Sequence, residues 1–191
     1  MRVGLYFGSF NPIHVGHLAI AGYFAQFTEL DQVWFVVSPH NPFKEKKSLL
    51  KGHHRLAMVR AAIEDCSYLK ASDVEFNLAQ PSYTVNTLAL LSEKYPSHRF
   101  SLILGSDSLE TFPKWRNAEV ILEQYRLWVF PRLGHDGGEL RNNHSVFFAD
   151  AAPQIELSST MIRNAIAEGK DVRCFMPERA WNYLDEMNFY K

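Results

Sequence analysis

The stretch Val3-Gly-Leu-Tyr-Phe7, continued by Gly8-Ser-Phe-Asn-Pro-Ile-His-Val-Gly-His17, decides the architecture of this chain. The apolar run Val3 to Phe7 reads as a buried first strand of the parallel-sheet type. Leu18 to Phe27, apolar and closed by Thr28-Glu29, reads as a helix. A turn of small residues between a strand's carboxyl end and a helix start is where α/β proteins hold phosphates, because backbone N–H groups and the positive helix end face one anion. His14 and His17 stand in the first turn of that helix. A spacing of three puts both rings on one face, with Cβ atoms about 5–6 Å apart. Two imidazoles and the amides of the turn therefore converge on one anionic spot. Zinc would need further ligands, and no Glu or Cys stands at motif spacing nearby.

Strand-like and helical segments alternate outward from this unit. Gln32 to Ser38 is a second strand, and Pro39 to Ser48 is a loop of Pro, Asn and Lys. His54 to Asp65 is helical, with Leu56, Val59 and Ile63 on one face. Short strands are predicted near Tyr68 to Ala71 and Val74 to Leu78, and a helix over Thr84 to Tyr95. Arg99 to Leu104 is a buried strand ending at Gly105, followed by a helix over Asn117 to Gln124. Strands Tyr125 to Phe130 and Val146 to Ala149 precede two closing helices, Ser159 to Glu168 and Pro177 to Met187. The alternation predicts a doubly wound, mainly parallel sheet with helices on both faces. One domain, 1–191, is expected, with the helices from about 158 to 191 packed on it; Leu133 to Asn143 is linker-like but too short to divide the chain.

Composition narrows the function. A chain of 191 residues with 47% hydrophobic content fills a sizeable core. The net charge of -1 carries no basic footprint for nucleic acid. No apolar run approaches the roughly 20 residues that cross a bilayer, and Met1-Arg2-Val3 carries no signal-peptide pattern. Cys66 and Cys174 are isolated, as in a reducing compartment, so the cytoplasm is expected. GxxxxGK[ST] and a post-strand GxGxxG are both missing, which removes the main support for P-loop and dinucleotide-oxidoreductase readings.

The turn His14-Val-Gly-His17 resembles the HxGH signature of the nucleotidyltransferase superfamily. Near the other end Leu157-Ser-Ser-Thr-Met-Ile-Arg163 opens a helix, with Ser158 or Ser159 as N-cap and Arg163 one turn in, its planar fork of donors suited to an anion. This resembles the superfamily's SSTxIR signature, which implies that Ser158, Ser159, Thr160 and Arg163 hold the outer phosphates of ATP. Pro81-Ser-Tyr-Thr-Val-Asn-Thr-Leu88 is similar to the SYTVxTL segment of bacterial nicotinate mononucleotide adenylyltransferases, a narrower match. It implies that main-chain donors at Tyr83 and Thr84 receive the nicotinate carboxylate at a helix start, where an anion is favoured by about 0.3–1 kcal/mol. Leu104-Gly-Ser-Asp-Ser-Leu109 with Trp115 resembles the family's (I/L)GxD…W stretch, which implies Gly105 and Asp107 on the ribose or adenine side and Trp115 against the pyridine ring. Pro39-His-Asn-Pro-Phe-Lys44 falls where the family carries Pro-Pro-His-Lys, so Lys44 is counted at a phosphate of the mononucleotide, although Phe43 replaces the usual histidine. Ser9 and Asn11 also depart from the family's Gly-Thr-Phe-Asp turn.

The resemblance implies an enzyme that transfers the adenylyl group of ATP to nicotinate mononucleotide, giving nicotinic acid adenine dinucleotide and pyrophosphate. His14 and His17 would stabilise charge at the α-phosphate, and the Gly8, Ser9 and Phe10 backbone would line the phosphates. Mg²⁺ is expected with ATP, with no metal ligands assigned in the protein. The expected partners are the two substrates, without nucleic acid or membrane; oligomeric state, a homo-oligomer included, stays open. The alternatives are a nicotinamide mononucleotide adenylyltransferase and a non-catalytic nucleotide-binding module.

Overall fold

A computed structural model describes residues 1–39 and 49–191. Elements follow in chain order: β1 (Arg2–Gly8), α1 (Val15–Phe27), β2 (Gln32–Val37), α2 (Gly52–Ala62), β3 (Leu69–Ser72), α3 (Thr84–Lys94) and β4 (Arg99–Gly105). Then come α4 (Ser106–Thr111), α5 (Ala118–Gln124), β5 (Arg126–Phe130), β6 (Val146–Phe148), α6 (Ser159–Ala167) and α7 (Glu178–Glu186). The described residues form a six-stranded sheet in the order β3-β2-β1-β4-β5-β6. Every pairing is parallel.

Period-two alternation survives inside runs that read as uniformly apolar. In β2, Val33, Phe35 and Val37 enter one core layer while Trp34 and Val36 enter the other. The first layer joins Tyr6, Phe24, Met58, Val59, Ile162 and Leu184, so α1, α2, α6 and α7 cover that face. The second joins Leu5, Leu88, Leu91, Leu109, Ile121 and Val129, so α3, α4 and α5 cover the opposite one. Both faces of the sheet are thus buried, as the continuous apolar strands require.

One expected element is corrected. Val74 to Leu78 forms no strand: Val74–Asn77 is a 3-10 turn. Its alternation of Val74, Phe76 and Leu78 mimics a strand, but Glu75 is 3% exposed and its Oε1 accepts the Thr87 hydroxyl at 2.8 Å. A buried carboxylate needs such a partner, and the turn supplies it by docking on α3. The short helix α4 was not foreseen; it begins directly at the end of β4. Among the described residues no helix is long and apolar enough to cross a membrane.

The strand order reverses between β1 and β4, which pair side by side from Arg2↔Arg99 to Tyr6↔Ile103. Loops leaving the carboxyl ends of these two strands must diverge to opposite faces and leave a crevice, the place where open α/β sheets bind ligands. The turn after β1 and the Gly105–Asp107 segment after β4 both lie there.

Candidate active site

His14 is the N-cap of α1, in extended backbone at φ -144°, and His17 sits three residues on. Their rings stack, with centroids 3.6 Å apart and 24° between planes. The His14 N–H donates to His17 Nδ1 at 3.2 Å. Nδ1 is thereby the acceptor, which assigns the ring proton to Nε2 and makes that nitrogen a donor. His14 is 4% exposed, and its Nδ1 has no hydrogen-bond partner among the described residues. Burial, and then the Arg132 charge, lower its pKa to about 4, so the ring is neutral near pH 7. Gly16 leaves room for this ring: a Cβ there would stand 3.1 Å from His14 Nδ1 and 3.4 Å from Ile155 Cγ2.

Phe10 shapes the floor. It holds a left-handed φ of 44° and is 2% exposed, a conformation that costs a bulky residue energy and persists where its surroundings enforce it. Its ring meets His17 edge-on at 5.1 Å and Phe35 at 5.3 Å. It also lies on Gly8, where a Cβ would come within 2.7 Å of it. Only the backbone of Phe10 can face a ligand.

The carbonyls of the turn are tied outward from other elements. Arg55 of α2, fully buried, donates from Nη1 to Ser9 O at 2.6 Å and to Ser38 O at 2.7 Å. Its Nη2 reaches Pro39 O and its Nε reaches Leu50 O, both at 2.9 Å. Arg163 of α6 donates to Asn11 O at 2.9 Å and to Thr160 Oγ1 at 3.2 Å, and Ser159 donates to Pro12 O at 2.8 Å. Ser158 caps α6 by accepting the Met161 N–H. In a trans peptide the N–H opposes the preceding carbonyl, so the Phe10 and Ile13 amides point away from these anchors, and neither finds an acceptor among the described residues. Two signatures separated by some 140 positions thus meet on one turn, an encounter that spacing does not reveal.

Across the crevice Asp107 Oδ1 occupies the space that a Gly105 Cβ would need. Ser106 Oγ accepts the Arg132 N–H at 2.8 Å, joining the end of β4 to the segment after β5. Between the two sides lies a small cavity of about 20 Å³ walled by Tyr6, His14, His17, Phe130, Arg132 and Ile155. Tyr83 caps α3, and Arg116 stacks 4.6 Å above its ring, which draws the Trp115 segment beside the mouth of that helix. Trp115 itself is half-buried against Phe112 at 5.0 Å. Lys44 lies outside the described residues.

Sequence reasoning missed Arg55 and Arg132, and left the role of Asn11 open with bracing of the turn as one reading. An isolated arginine on a helical face carries no motif, so only its burial marks it out.

A family model described as cytidylyltransferase-like matches residues 5–165. A protein of Flavobacterium johnsoniae named "Probable nicotinate-nucleotide adenylyltransferase" is 53% identical over 193 residues, covering all of both chains. One of the same name from Christiangramia forsetii is 51% identical over 192 residues, covering all of this chain and 98% of the relative. This chain belongs to the cytidylyltransferase-like family and, within it, to the nicotinate-nucleotide adenylyltransferases. The fold of this adenylyltransferase is also that of a solved Plasmodium falciparum nicotinic acid mononucleotide adenylyltransferase complexed with NaAD. The two are 19% identical, with a TM-score of 0.80 over 99% of this chain and 97% of the other.

Proposed function

We propose that this nucleotidyltransferase joins ATP and nicotinate mononucleotide, releasing pyrophosphate and forming nicotinic acid adenine dinucleotide. The observation that carries this reading is the stacked His14–His17 pair at the start of α1 in the sheet's crevice, with the buried His14 Nδ1 lacking a hydrogen-bond partner among the described residues. Buried polar atoms are almost always satisfied, and an exception at a cleft calls for a ligand. The identity to named relatives over the whole chain supports the choice of substrates.

An oxygen of the mononucleotide phosphate attacks the α-phosphorus of ATP. The new P–O bond forms as the bond from that phosphorus to the bridging oxygen breaks, and pyrophosphate leaves. The attacking phosphate has a second pKa of about 6, so it is already ionised and needs no general base. The protein's task is to bring two anions together and hold donors where charge grows. His14 and His17 serve the α-phosphate, the Gly8–Phe10 backbone and the Ser158–Thr160 helix start serve the outer phosphates, and Arg163 both braces the turn and adds charge. Gly105 and Asp107 serve the ribose or adenine side. Tyr83 and Thr84 at the start of α3, with Trp115 and Lys44, serve nicotinate mononucleotide.

Among the described residues no three His, Cys, Asp or Glu side chains gather as a metal cage. Mg²⁺ would enter with ATP, with no protein ligand assigned to it, and would supply charge neutralisation. The same reading has residues 1–191 working as one domain, in the cytoplasm, on small molecules alone. Incubation with ATP, Mg²⁺ and each pyridine mononucleotide, with the product identified by mass, tests it: a mass for nicotinic acid adenine dinucleotide is expected, and its absence sinks the reading.

A further inference from the structure

We propose that Tyr190 is a positioning residue for adenylyl transfer, its hydroxyl holding Asn11 and through it the turn between β1 and α1; this rests on the function proposed above. The Tyr190 O–H donates to Asn11 Oδ1 at 2.5 Å across 179 positions of sequence. The same oxygen accepts the Leu50 N–H at 3.2 Å. A carbonyl oxygen has two lone pairs, so both are used and the amide's orientation is set by its donors. The Asn11 main-chain carbonyl is held in turn by Arg163. Asn11, 4% exposed, thus joins the turn to the start of α2, to α6 and to residue 190.

The segment carrying Tyr190 is itself fixed. Asn188 and Tyr190 have left-handed φ values of 52° and 65°, which a bulky ring keeps only where its contacts over-determine it. Phe189 packs edge-on against His54 at 4.8 Å, and His54 Nδ1 bonds the Tyr183 hydroxyl at 2.9 Å, so α2 and α7 both grip the segment. Lys191 Nζ ties back to Asp185 at 2.7 Å and to Asn188 at 3.1 Å. The charged groups facing the Tyr190 hydroxyl are the guanidinium ions of Arg163 and Arg55; burial outweighs them and holds the hydroxyl well above its ordinary range, so it remains a donor. None of these groups needs to touch substrate. They decide whether the Phe10 and Ile13 amides stay aimed across the crevice.

Tyr190→Phe removes the hydroxyl and keeps the ring. In the full chain kcat/KM for ATP should fall about tenfold or more, as when an orienting partner of a site group is lost, while KM for nicotinate mononucleotide stays within twofold. The melting temperature should move by no more than about 3 °C, roughly what a loss of 1 kcal/mol produces in a domain of this size. Asn11→Ala should lose at least as much, and Tyr190→Phe added to it should cost nothing further. Amide exchange of residues 9–14 should quicken in Tyr190→Phe and that of β5 should not. A kcat/KM within twofold of the parent, additive losses, or a Tyr190→Phe chain that fails to fold would each overturn the proposal. A parent chain that makes no dinucleotide would sink the function instead; binding of α,β-methylene-ATP to parent and variant, weakened about tenfold in the variant, would still test Tyr190.

Discussion

At the residue scale the candidate site holds two stacked imidazoles, and burial sets the protonation of one of them, His14. His14 works as a neutral ring, because taking it out of water penalises its charged form and Arg132 opposes a second positive charge. His17 is turned by the His14 amide so that Nε2 donates. A donor aimed at the α-phosphate acts mainly in the transition state, where losing one costs about 3–4 kcal/mol. His17→Ala should therefore lower turnover at least about 10²-fold, with ATP affinity and melting temperature close to the parent's. Single-turnover kinetics with a parallel thermal melt checks this, and a variant within a few-fold of the parent would remove His17 from the chemistry. Much of this scale was legible in advance. The spacing of His14 and His17 and the Gly between them reads directly as two rings over one turn, and the 3.6 Å stack is its geometric outcome.

At the element scale the proposed binding falls on two helix starts. The start of α6 is fastened to the first turn by Ser159 and Arg163, so the helix proposed to receive ATP also sets the shape of the turn. Arg163→Ala removes a charged fork of donors, worth roughly twice a neutral hydrogen bond, and frees the Asn11 carbonyl. The expected result is a KM for ATP raised at least about tenfold with the mononucleotide constant little changed; the reverse pattern in a two-substrate titration would show the subsites exchanged. The start of α3 offers its acceptor-seeking amides without a side-chain cap. A carboxylate satisfies two such donors, whereas a carboxamide turns its NH₂ toward one and leaves it unpaired at about 1–3 kcal/mol. With the lost anion–dipole attraction, nicotinate should be preferred over nicotinamide mononucleotide by roughly 10 to 10³ in kcat/KM. Asn86, exposed in the first turn of α3, is the residue to examine if the two substrates prove equal.

At the scale of the whole molecule, the buried histidine links the site to stability. His14 titrates near its ordinary 6.5 when unfolded and near 4 when folded. Between those values the unfolded chain binds more protons, so stability rises with pH across that window; the contribution is complete above about pH 6.5 and is lost as pH falls toward 4. Its full size is about 3 kcal/mol. The denaturation midpoint of the parent should drop between pH 7 and pH 4.5, and His14→Gln should drop distinctly less. Equal losses in both chains would assign the acid sensitivity elsewhere. Turnover, which needs neutral imidazoles, should persist at pH 8.

The sequence by itself determined the parallel sheet and the place of the histidine turn at the end of its first strand. Runs such as Val33 to Val37, apolar on both faces, are stable only inside a sheet covered on both sides, and a small-residue turn with two histidines between a strand and a helix reads as a place for an anion. These are local facts, fixed by side chains a few residues apart. Tertiary structure alone decided what holds the turn. Arg55, Asn11, Arg163 and Tyr190 are scattered over 180 positions, and nothing in the spacing of such residues states that they meet. Their union follows from the reversal of strand order beside β1, which packs α2, α6 and the segment after α7 on the same face of the sheet. The same physics turned Val74 to Asn77 from an apparent strand into a turn: the alternation is local, but the need of buried Glu75 for the Thr87 hydroxyl arises only when α3 packs against it.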